Sequence, residues 1–503
     1  MDENIIHLKE RKRVRLLVRR DAFHRYFSCL VFVPSDVFNT DLAQRIQNIL
    51  MESFKGIASS FTTYFSDSIL ARIHYIIRVH PTTSLEYHIT KIEKELAKAA
   101  RSWADELKDQ LIAQYEEAKG LEYYYKYNKA FPTSYTEYYS PKEALEDIEK
   151  IEGLSVSFPL GMLFNKISGN PTISFKLFHA EQIVVLSDVL PILENMGLRI
   201  IGERPYEIKL KEGTRIWIND FDMTYAGSKA LDMASIKDIF QEAFAKIWFS
   251  HVENDRFNRL VLEANLTWQE TTMLRAYIKY LRQTGFTFSQ SYIEQALINN
   301  AETVKLLVQL FVLRFDPLIQ SRRHDDPKEL IATIEELLDK VLSLDEDRIL
   351  RRLLEIIQAT IRTNYFQKDD NGFSKSYLSF KFDPVLISDL PLPKPKYEIF
   401  VYSPRMEGVH LRAGKVARGG IRWSDRREDF RTEVLGLMKA QQVKNTVIVP
   451  VGAKGGFVVK QNQTGEINRD EYIKEVIRCY STFISGLLDI TDNIKKSVVI
   501  PPR

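Results

Sequence analysis

The alternation of hydrophobic and polar positions predicts a small α+β unit at the start of the chain. Runs of β-branched and aromatic residues predict strands, and apolar residues at three- and four-residue spacing predict amphipathic helices. The predicted strands are residues 14–18, 26–34, 61–65 and 71–79, and the predicted helices are 40–54 and 84–117. We describe this order as β-α-β-β-α, and it favours an antiparallel sheet with helices on one face.

The same order recurs further along the chain. Strands are predicted at 172–178, 198–208 and 214–223, and helices at 187–196 and 236–250. Gly197 is a typical residue to end the first of these helices. We place the first unit in residues 1–120, the second in 171–250, and between them (121–170) a linker with a short strand pair. Both units resemble ACT domains, whose pairs bind an amino acid at their interface. This resemblance implies an amino-acid effector, but two packing units without any ligand remain an equal alternative.

Residues 251–376 have an almost wholly helical pattern. Helices are predicted at 260–266, 269–285, 289–310, 327–341 and 343–364. Arginines at 348, 351 and 352 suggest a nucleic-acid surface, but the acidic residues 345–347 beside them favour a salt-bridged helix face. We expect this region to connect the ACT-like units to a final strand-rich region, 377–503.

Composition narrows the class of protein. The 503 residues include 70 Lys and Arg against 67 Asp and Glu, a net charge of +3, so nothing indicates attraction to nucleic acid. The two cysteines, Cys29 and Cys479, lie in apolar surroundings and are predicted to be buried thiols, without a disulfide or metal site. Without an uninterrupted apolar run of about 18 residues, no membrane contact is expected, and we predict a cytoplasmic protein.

The residues most typical of a functional site lie between positions 415 and 460. Arg418 precedes Gly419 and Gly420, and an amphipathic helix predicted at 425–444 carries Gln441 and Lys444 three residues apart, on one face. A β-branched strand (446–451) then leads into a predicted glycine-rich turn, 452–456, that contains Lys454. Glycines allow close approach to a ligand, cations hold carboxylates, and a desolvated lysine can act as a base. The segment predicts a site for a small dianionic acid.

A less specific interpretation of these residues also exists. A lysine in a glycine-rich turn is commonly a solvated surface cation, and Gln441 with Lys444 is also typical of the polar face of an amphipathic helix. The turn is not a phosphate-binding P-loop, because no Ser or Thr follows a Gly-Lys pair at the required spacing.

The amino-acid sequence of this segment resembles that of the glutamate dehydrogenases. GGIR, the helix ending in Lys444, and PVGAKGG are similar to their substrate-binding signature. The sequence RWSDRREDFRTEVLGLMKAQQVKN resembles the large NAD-dependent bacterial type, and the resemblance extends over essentially the whole chain. It implies an α+β and α/β multidomain protein, with ACT-like βαββα units, a helical region and the start of a substrate-binding α/β domain.

The resemblance also implies residue roles. Lys454 matches the catalytic lysine, which assists water attack and proton transfer at the substrate's α-carbon. Gln441 and Lys444 match groups that hold the α-carboxylate. Arg418 stands where smaller relatives carry a lysine that contacts the γ-carboxylate, and its guanidinium suits a bidentate contact. The implied reaction is oxidative deamination of L-glutamate to 2-oxoglutarate and ammonia with NAD, without a metal, in a homo-oligomer.

The sequence departs from the pattern of the glutamate dehydrogenases in two places. The turn is one residue shorter than the family's usual proline-X-glycine-glycine-alanine-lysine. The family's catalytic aspartate has no match here, since neither Asp489 nor Asp492 is assigned that role, and no G-x-G-x-x-G follows a strand. We expect the NAD site beyond residue 503, an inactive isolated chain, and a complementing C-terminal chain if one is needed. The alternative is a non-catalytic fragment that senses an amino acid or serves assembly.

Overall fold

The computed structural model describes most of the chain. The described residues are 14–35, 37–64, 69–80, 87–166, 172–181, 183–227, 231–320, 327–415, 417–444, 451–460 and 469–502, without the side chains of 320, 417 and 442–444. Two compact units are present. One comprises Met1–Gly161, Ala180–Gln182 and Tyr206–Ile218, and the other comprises Met162–His179, Ile183–Pro205 and Asn219–Arg503.

The first sheet is antiparallel and four-stranded, as its alternating pattern predicts. Its elements are β1 (Arg15–Arg20), β2 (Tyr26–Pro34), α1 (Thr40–Ser53), β3 (Ala58–Tyr64), β4 (Leu70–Arg78) and α2 (Ile89–Ala99). The strand order is β1-β2-β4-β3. Two strands precede the first helix, so the order is ββαββα. The side chain of Asn39 caps α1 by accepting the Leu42 N–H at 2.7 Å.

The predicted helix 84–117 is two helices. α2 ends at Ala99, and the next helix starts after Ser102, whose hydroxyl accepts the Asp105 N–H at 3.1 Å while the Asp105 carboxylate accepts the Ser102 N–H. Such a reciprocal capping box defines a helix start. The following helices are α3 (Trp103–Tyr127), which breaks at Glu116, α4 (Thr133–Tyr138) and α5 (Pro141–Glu152).

Interpreting residues 121–170 as a linker was therefore wrong. More than half of its described residues are helical, and Ser140 begins α5 with a second capping box to Glu143. The sequence pattern did not predict these helices. Stacked rings such as Phe131 and Tyr135 bury surface without the regular spacing of aliphatic residues that indicates an amphipathic helix. The segment also contributes a strand, β5 (Leu160–Lys166), to the second sheet.

The second sheet repeats the strand order of the first. Its further elements are β6 (Ile173–Ala180), α6 (Leu186–Asn195), β7 (Leu198–Lys209), β8 (Arg215–Tyr225) and α7 (Met233–Trp248). The order β5-β6-β8-β7 matches β1-β2-β4-β3 position by position. The predicted strands and helices from 172 to 250 are confirmed, while the sequence pattern missed β5 as a partner of β6.

The helical region contains one sharp break that the periodicity did not predict. Its helices are α8 (Leu260–Glu263), α9 (Trp268–Gln283), α10 (Gln290–Asn299), α11 (Ala301–Phe315), α12 (Pro317–Gln320), α13 (Pro327–Leu338) and α14 (Leu344–Ala359). The single helix predicted at 289–310 is instead α10 and α11, which meet at 94°. Asn300 has a non-helical backbone, and its amide donates to the Ala296 carbonyl and to Glu346. Its side chain replaces the lost helical hydrogen bonds.

Within the described chain, no single helix is long and apolar enough to cross a membrane. The bent pair α10 and α11 together passes this test by length and composition alone.

The last region is a seven-stranded sheet. Its elements are β9 (Thr360–Thr363), β10 (Leu378–Phe382), β11 (Tyr397–Tyr402), β12 (Met406–Arg412), β13 (Ala417–Arg418), β14 (Ile421–Trp423), α15 (Phe430–Lys444), β15 (Val451–Val459) and α16 (Arg469–Asp489). A separate hairpin follows, β16 (Asn493–Lys495) and β17 (Val498–Ile500). The main order is β13-β15-β12-β11-β10-β9, with β14 also beside β15.

Two predicted helices in this region were too long. The helix expected at 343–364 ends at Ala359, because the β-branched run that follows forms strand β9. The helix expected at 425–444 starts at Phe430. The strand expected at 446–451 lies outside the described residues except for Val451.

The sheet is covered on both faces. On one face its side chains join a large apolar core with α9, α14 and α15, which includes Tyr277, Phe400, Leu411 and Met438. On the other face a smaller core forms with α16, where Phe457 and Phe483 stack with ring centroids 6.0 Å apart. β15 is thus an interior strand of a sheet that lies between two helical layers.

Candidate functional site

The glycine-rich segment 452–456 is not a turn but the first half of β15. Its neighbours are β12, antiparallel on one side, and the short strands β13 and β14, parallel on the other. Lys454 is opposite Leu411 of β12, and the Gly455 N–H donates to the Gly420 carbonyl at 3.1 Å. The prediction of a turn was wrong because glycine here serves close packing between elements.

Packing around the glycines shows which face Lys454 occupies. A Cβ on Gly456 would lie 2.5 Å from Val434 Cγ2, and one on Gly452 would lie 2.8 Å from Gln441 Oε1. Both contacts belong to α15. Since alternate residues of a strand point to the same face, Lys454 faces α15 between these two glycines. Its side chain is half-buried there.

Gln441 links the helix to the loop that carries Arg418. Its Nε2 donates to the Arg418 carbonyl at 3.1 Å. Its Oε1 is buried and has no hydrogen-bond partner in the described part of the chain. A buried acceptor oxygen without a partner is stabilised when a ligand or a water molecule donates a hydrogen bond to it.

Gly419 and Gly420 have different surroundings. A Cβ on Gly419 would overlap the Ala453 carbonyl, so only glycine lets the chain pass β15 at this point. A Cβ on Gly420 would meet nothing within 4 Å. Gly419 is therefore required by packing, whereas Gly420 leaves open space beside the strand.

The predicted site residues come together in part. Arg418, the two glycines, Gln441 and Lys454 lie where β13, α15 and β15 meet. The Lys444 backbone ends α15, and its side chain is outside the described residues.

At this corner of the sheet, two cationic side chains have no counter-charge among the described residues. Arg418 is exposed, and neither it nor Lys454 makes an ion pair or a side-chain hydrogen bond with the described residues. Cations left unpaired in this way are available to the carboxylates of a ligand. The described side chains include no group of three or more His, Cys, Asp or Glu residues that could hold a metal ion.

The sequence pattern missed the ion pair that holds α15 in place. Arg431 and Glu398 of β11 are both fully buried, with bidentate contacts of 2.6 and 2.8 Å. Burial opposes the charge on Arg431, but the Glu398 carboxylate raises the pKa of Arg431 overall. Gln283 of α9 accepts the Arg431 N–H at 3.3 Å. The available signal was an arginine on the apolar side of α15, one turn before Val434.

A histidine on the opposite face of the sheet was also missed. His410 of β12 is opposite Gly455, and its Nδ1 is buried without a partner in the described chain. Burial, with a smaller effect from the charge of Arg412, lowers the pKa of His410 to about 4. The imidazole is therefore neutral at pH 7.

The two aspartates near the end of the chain have structural partners. Asp489 accepts from Lys375 Nζ at 2.6 Å and from Asn364 Nδ2 at 3.0 Å. Asp492 pairs with Arg362 at 2.8 Å. Both carboxylates connect the end of α16 to the β9 side of the sheet.

Fold and site together define a multidomain α+β and α/β protein with a half-buried lysine in its final sheet. Family models of glutamate dehydrogenase match successive parts of the chain. They are the ACT2 domain at residues 15–104, helical motif 2 at 110–154, the ACT3 domain at 159–236, helical motif 3 at 252–317, and the catalytic domain of bacterial NAD-glutamate dehydrogenase at 333–503.

Curated relatives agree with these matches. The NAD-specific glutamate dehydrogenases of Pseudomonas aeruginosa and Halomonas elongata are each 48% identical to the chain over 99% of its length. That of Mycobacterium tuberculosis is 40% identical over 100% of it. The chain spans only 31%, 31% and 32% of the length of these three proteins.

Over its whole length, the chain is therefore similar to NAD-specific bacterial glutamate dehydrogenases. The two ACT-like units and the helical region are confirmed. The catalytic-domain match begins at residue 333, earlier than the expected start at 377. The expectation that the isolated chain is inactive is not supported, because this match lies within the chain.

Proposed function

We propose that this chain binds the substrate of an NAD-dependent glutamate dehydrogenase, which converts L-glutamate to 2-oxoglutarate and ammonia. The observation that carries the proposal is the position of Lys454. It is half-buried between glycines, on the face that α15 covers, and no described carboxylate neutralises it. A lysine in this setting is suited to exchange a proton with a bound substrate.

The neighbouring groups suit the two carboxylates of the substrate. The exposed Arg418 guanidinium can bind the γ-carboxylate through two parallel hydrogen bonds. Gln441 keeps a second amide N–H beside the one given to the Arg418 carbonyl, and we assign it, with Lys444, to the α-carboxylate. The open space beside Gly420 lets the backbone approach the ligand.

The residues present do not fit a dinucleotide. The described sheet is mainly antiparallel, its two parallel pairs span two and three residues, and the sequence contains no G-x-G-x-x-G after a strand. We therefore propose that NAD is held outside these 503 residues. The role we assign to Lys454 concerns only the substrate: in its neutral form it accepts a proton from the water that adds to the α-carbon once that carbon has been oxidised from amine to iminium.

The proposal is tested by calorimetric titration of the chain with 2-oxoglutarate. We expect Arg418→Ala and Gln441→Ala to weaken binding about tenfold or more, because each removes a hydrogen bond to a charged group. Lys439→Ala is the matched control, since Lys439 is exposed on the same helix. Binding that is unchanged in both site variants, or equally weakened in the control, would contradict the assignment.

Catalysis by Lys454 requires a separate measurement. In the assembled enzyme that contains this chain, Lys454→Ala should abolish turnover of glutamate while thermal melting stays unchanged. Retained turnover would refute the catalytic role of Lys454 without affecting the assignment of the carboxylate-binding groups.

The alternative function is a non-catalytic amino-acid sensor, and the match to two ACT domain models favours testing it. The same titration with a panel of amino acids distinguishes the two functions. Amino-acid binding that survives substitution of Arg418, Gln441 and Lys454 would indicate an ACT-type effector site. A homo-oligomer and a cytoplasmic location stay predictions, and the two free, buried cysteines agree with a reducing compartment.

A further inference from the structure

A cavity lies at the other end of the strands that carry the candidate site. Its volume is about 650 Å³, within the usual range for small-molecule sites. It is formed by the C-terminal end of α7, the start of α9, the loop before β10, the turn between β11 and β12, and α16. The lining residues that matter here are Lys246, His251, Trp268, Lys375, Arg405 and Arg478.

Two of the lysine and arginine side chains that line this cavity are paired with carboxylates of the described chain, and two are not. Lys375 pairs with Asp489 at 2.6 Å, and Arg405 makes a bidentate pair with Glu475. Lys246 and Arg478 make no ion pair within the described chain. The lining contains one acidic residue, Asp369, whose carboxylate accepts the backbone N–H groups of its own loop at 3.0 and 2.8 Å.

The two unpaired cations come from different walls. Lys246 belongs to the last turn of α7, and its ammonium lies 5.1 Å from the centre of the Trp268 ring, which restrains it. The ring in turn donates its Nε1–H to Glu242 at 2.8 Å. Arg478 is exposed on α16. The cavity thus holds one restrained and one exposed cation, with apolar surface from Trp268 and the half-exposed Phe249 between the polar groups.

We propose that this cavity binds a small organic anion, through a carboxylate or phosphate group held by Lys246 and Arg478. An anion between two unpaired cations in a concave, partly apolar site gains charge-assisted hydrogen bonds from both of them. Lys375 and Arg405 already have carboxylate partners and shape the wall.

The cavity is distinct from the Lys454 site. Arg405 precedes β12, whereas Lys454 is opposite Leu411 near the end of that strand. Along an extended chain this separation is roughly 20 Å. The inference therefore does not depend on the dehydrogenase proposal.

Titration calorimetry of the chain with three probes tests the inference: inorganic phosphate, succinate, and adenosine 5′-monophosphate, with adenosine as an uncharged control. We expect saturable binding of at least one anion and none of adenosine. Lys246→Gln and Arg478→Gln should each weaken it about tenfold, the effect of losing one hydrogen bond to a charged group. Comparison of phosphate with succinate shows whether the cavity prefers a phosphate or a carboxylate group.

Lys474→Gln, on the same helix as Arg478 and exposed, is the matched control and should bind like the unmodified chain. Thermal melting verifies that each variant is folded. Three results would overturn the inference: no probe binds, binding is equal in the two cavity variants and the unmodified chain, or binding is lost on substitution of Arg418 or Lys454 instead.

Discussion

Two interior strands of equal length, β4 and β15, pack against helices in opposite ways. Each has nine residues and has neighbours on both sides. β4 fills the space below its helices with its own side chains, and Ile73, Tyr75 and Ile77 are fully buried. β15 has three glycines in its first six positions, and helix side chains such as Val434 and Phe483 fill the space instead.

The difference explains how a lysine can be accommodated inside a sheet. In β4, Tyr75 lies between Ile73 and Ile77 on one face of the strand, and it donates to the Ala43 carbonyl of α1 at 2.8 Å. In β15, the positions before and after Lys454 on its own face are glycines, so the space around its side chain is limited only by α15. A strand poor in side chains offers room for a ligand, whereas a strand rich in them offers stability.

The largest expected effect is at Tyr75. Tyr75→Ala should lower the free energy of unfolding of the first sheet by about 3–5 kcal/mol, because it leaves a cavity in a close-packed core. Tyr75→Phe should lower it by only about 1 kcal/mol, through the lost hydrogen bond to Ala43. Urea denaturation monitored by hydrogen exchange in β4 measures both values. Equal values for the two variants would mean that the ring itself contributes no packing.

Adding a side chain where glycine allows close packing against β15 should destabilise the last sheet. Gly419→Ala places a Cβ onto the Ala453 carbonyl and should destabilise the last sheet by about 3 kcal/mol or displace β13 and β14. Gly420→Ala is the matched control and should change stability by less than about 1 kcal/mol, since nothing lies near its Cβ. The measurement is urea denaturation together with hydrogen exchange of β13 to β15. Tolerance of alanine at both positions would contradict the packing role of Gly419.

An effect of pH that is seen only in acid is expected from His410, which packs beside Gly455. Its folded pKa of about 4 lies below the ordinary value of 6.5, so the unfolded chain binds the proton more tightly. The stabilisation from the neutral imidazole is full above pH 6.5 and is lost as the pH falls towards 4, by up to about 3 kcal/mol.

Comparison of the unmodified chain with His410→Leu checks this contribution. Between pH 7 and 4 the variant should lose less stability in urea denaturation than the unmodified chain does. Parallel losses in the two proteins would show that His410 does not titrate on unfolding.

Regular alternation made the two ACT-like sheets predictable. β2, β4, β7 and β8 lie within a few residues of the expected positions, because half-buried strands repeat every two residues whatever their neighbours are. Helix ends were predicted less well. The break at Asn300 depends on a contact with Glu346 of α14, which local periodicity does not contain.

The sequence by itself indicated the two ACT-like units and the helical region after them, and it contains the residues that we propose bind a dianionic acid. These properties follow from local patterns and from motifs whose residues are neighbours in the chain. Only the tertiary structure decided that residues 452–456 form a strand, that Lys454 faces α15, and that Arg431 anchors this helix to Glu398. The physical reason is that glycine permits both a turn and the close approach of two elements, and only the groups packed against it show which of the two occurs.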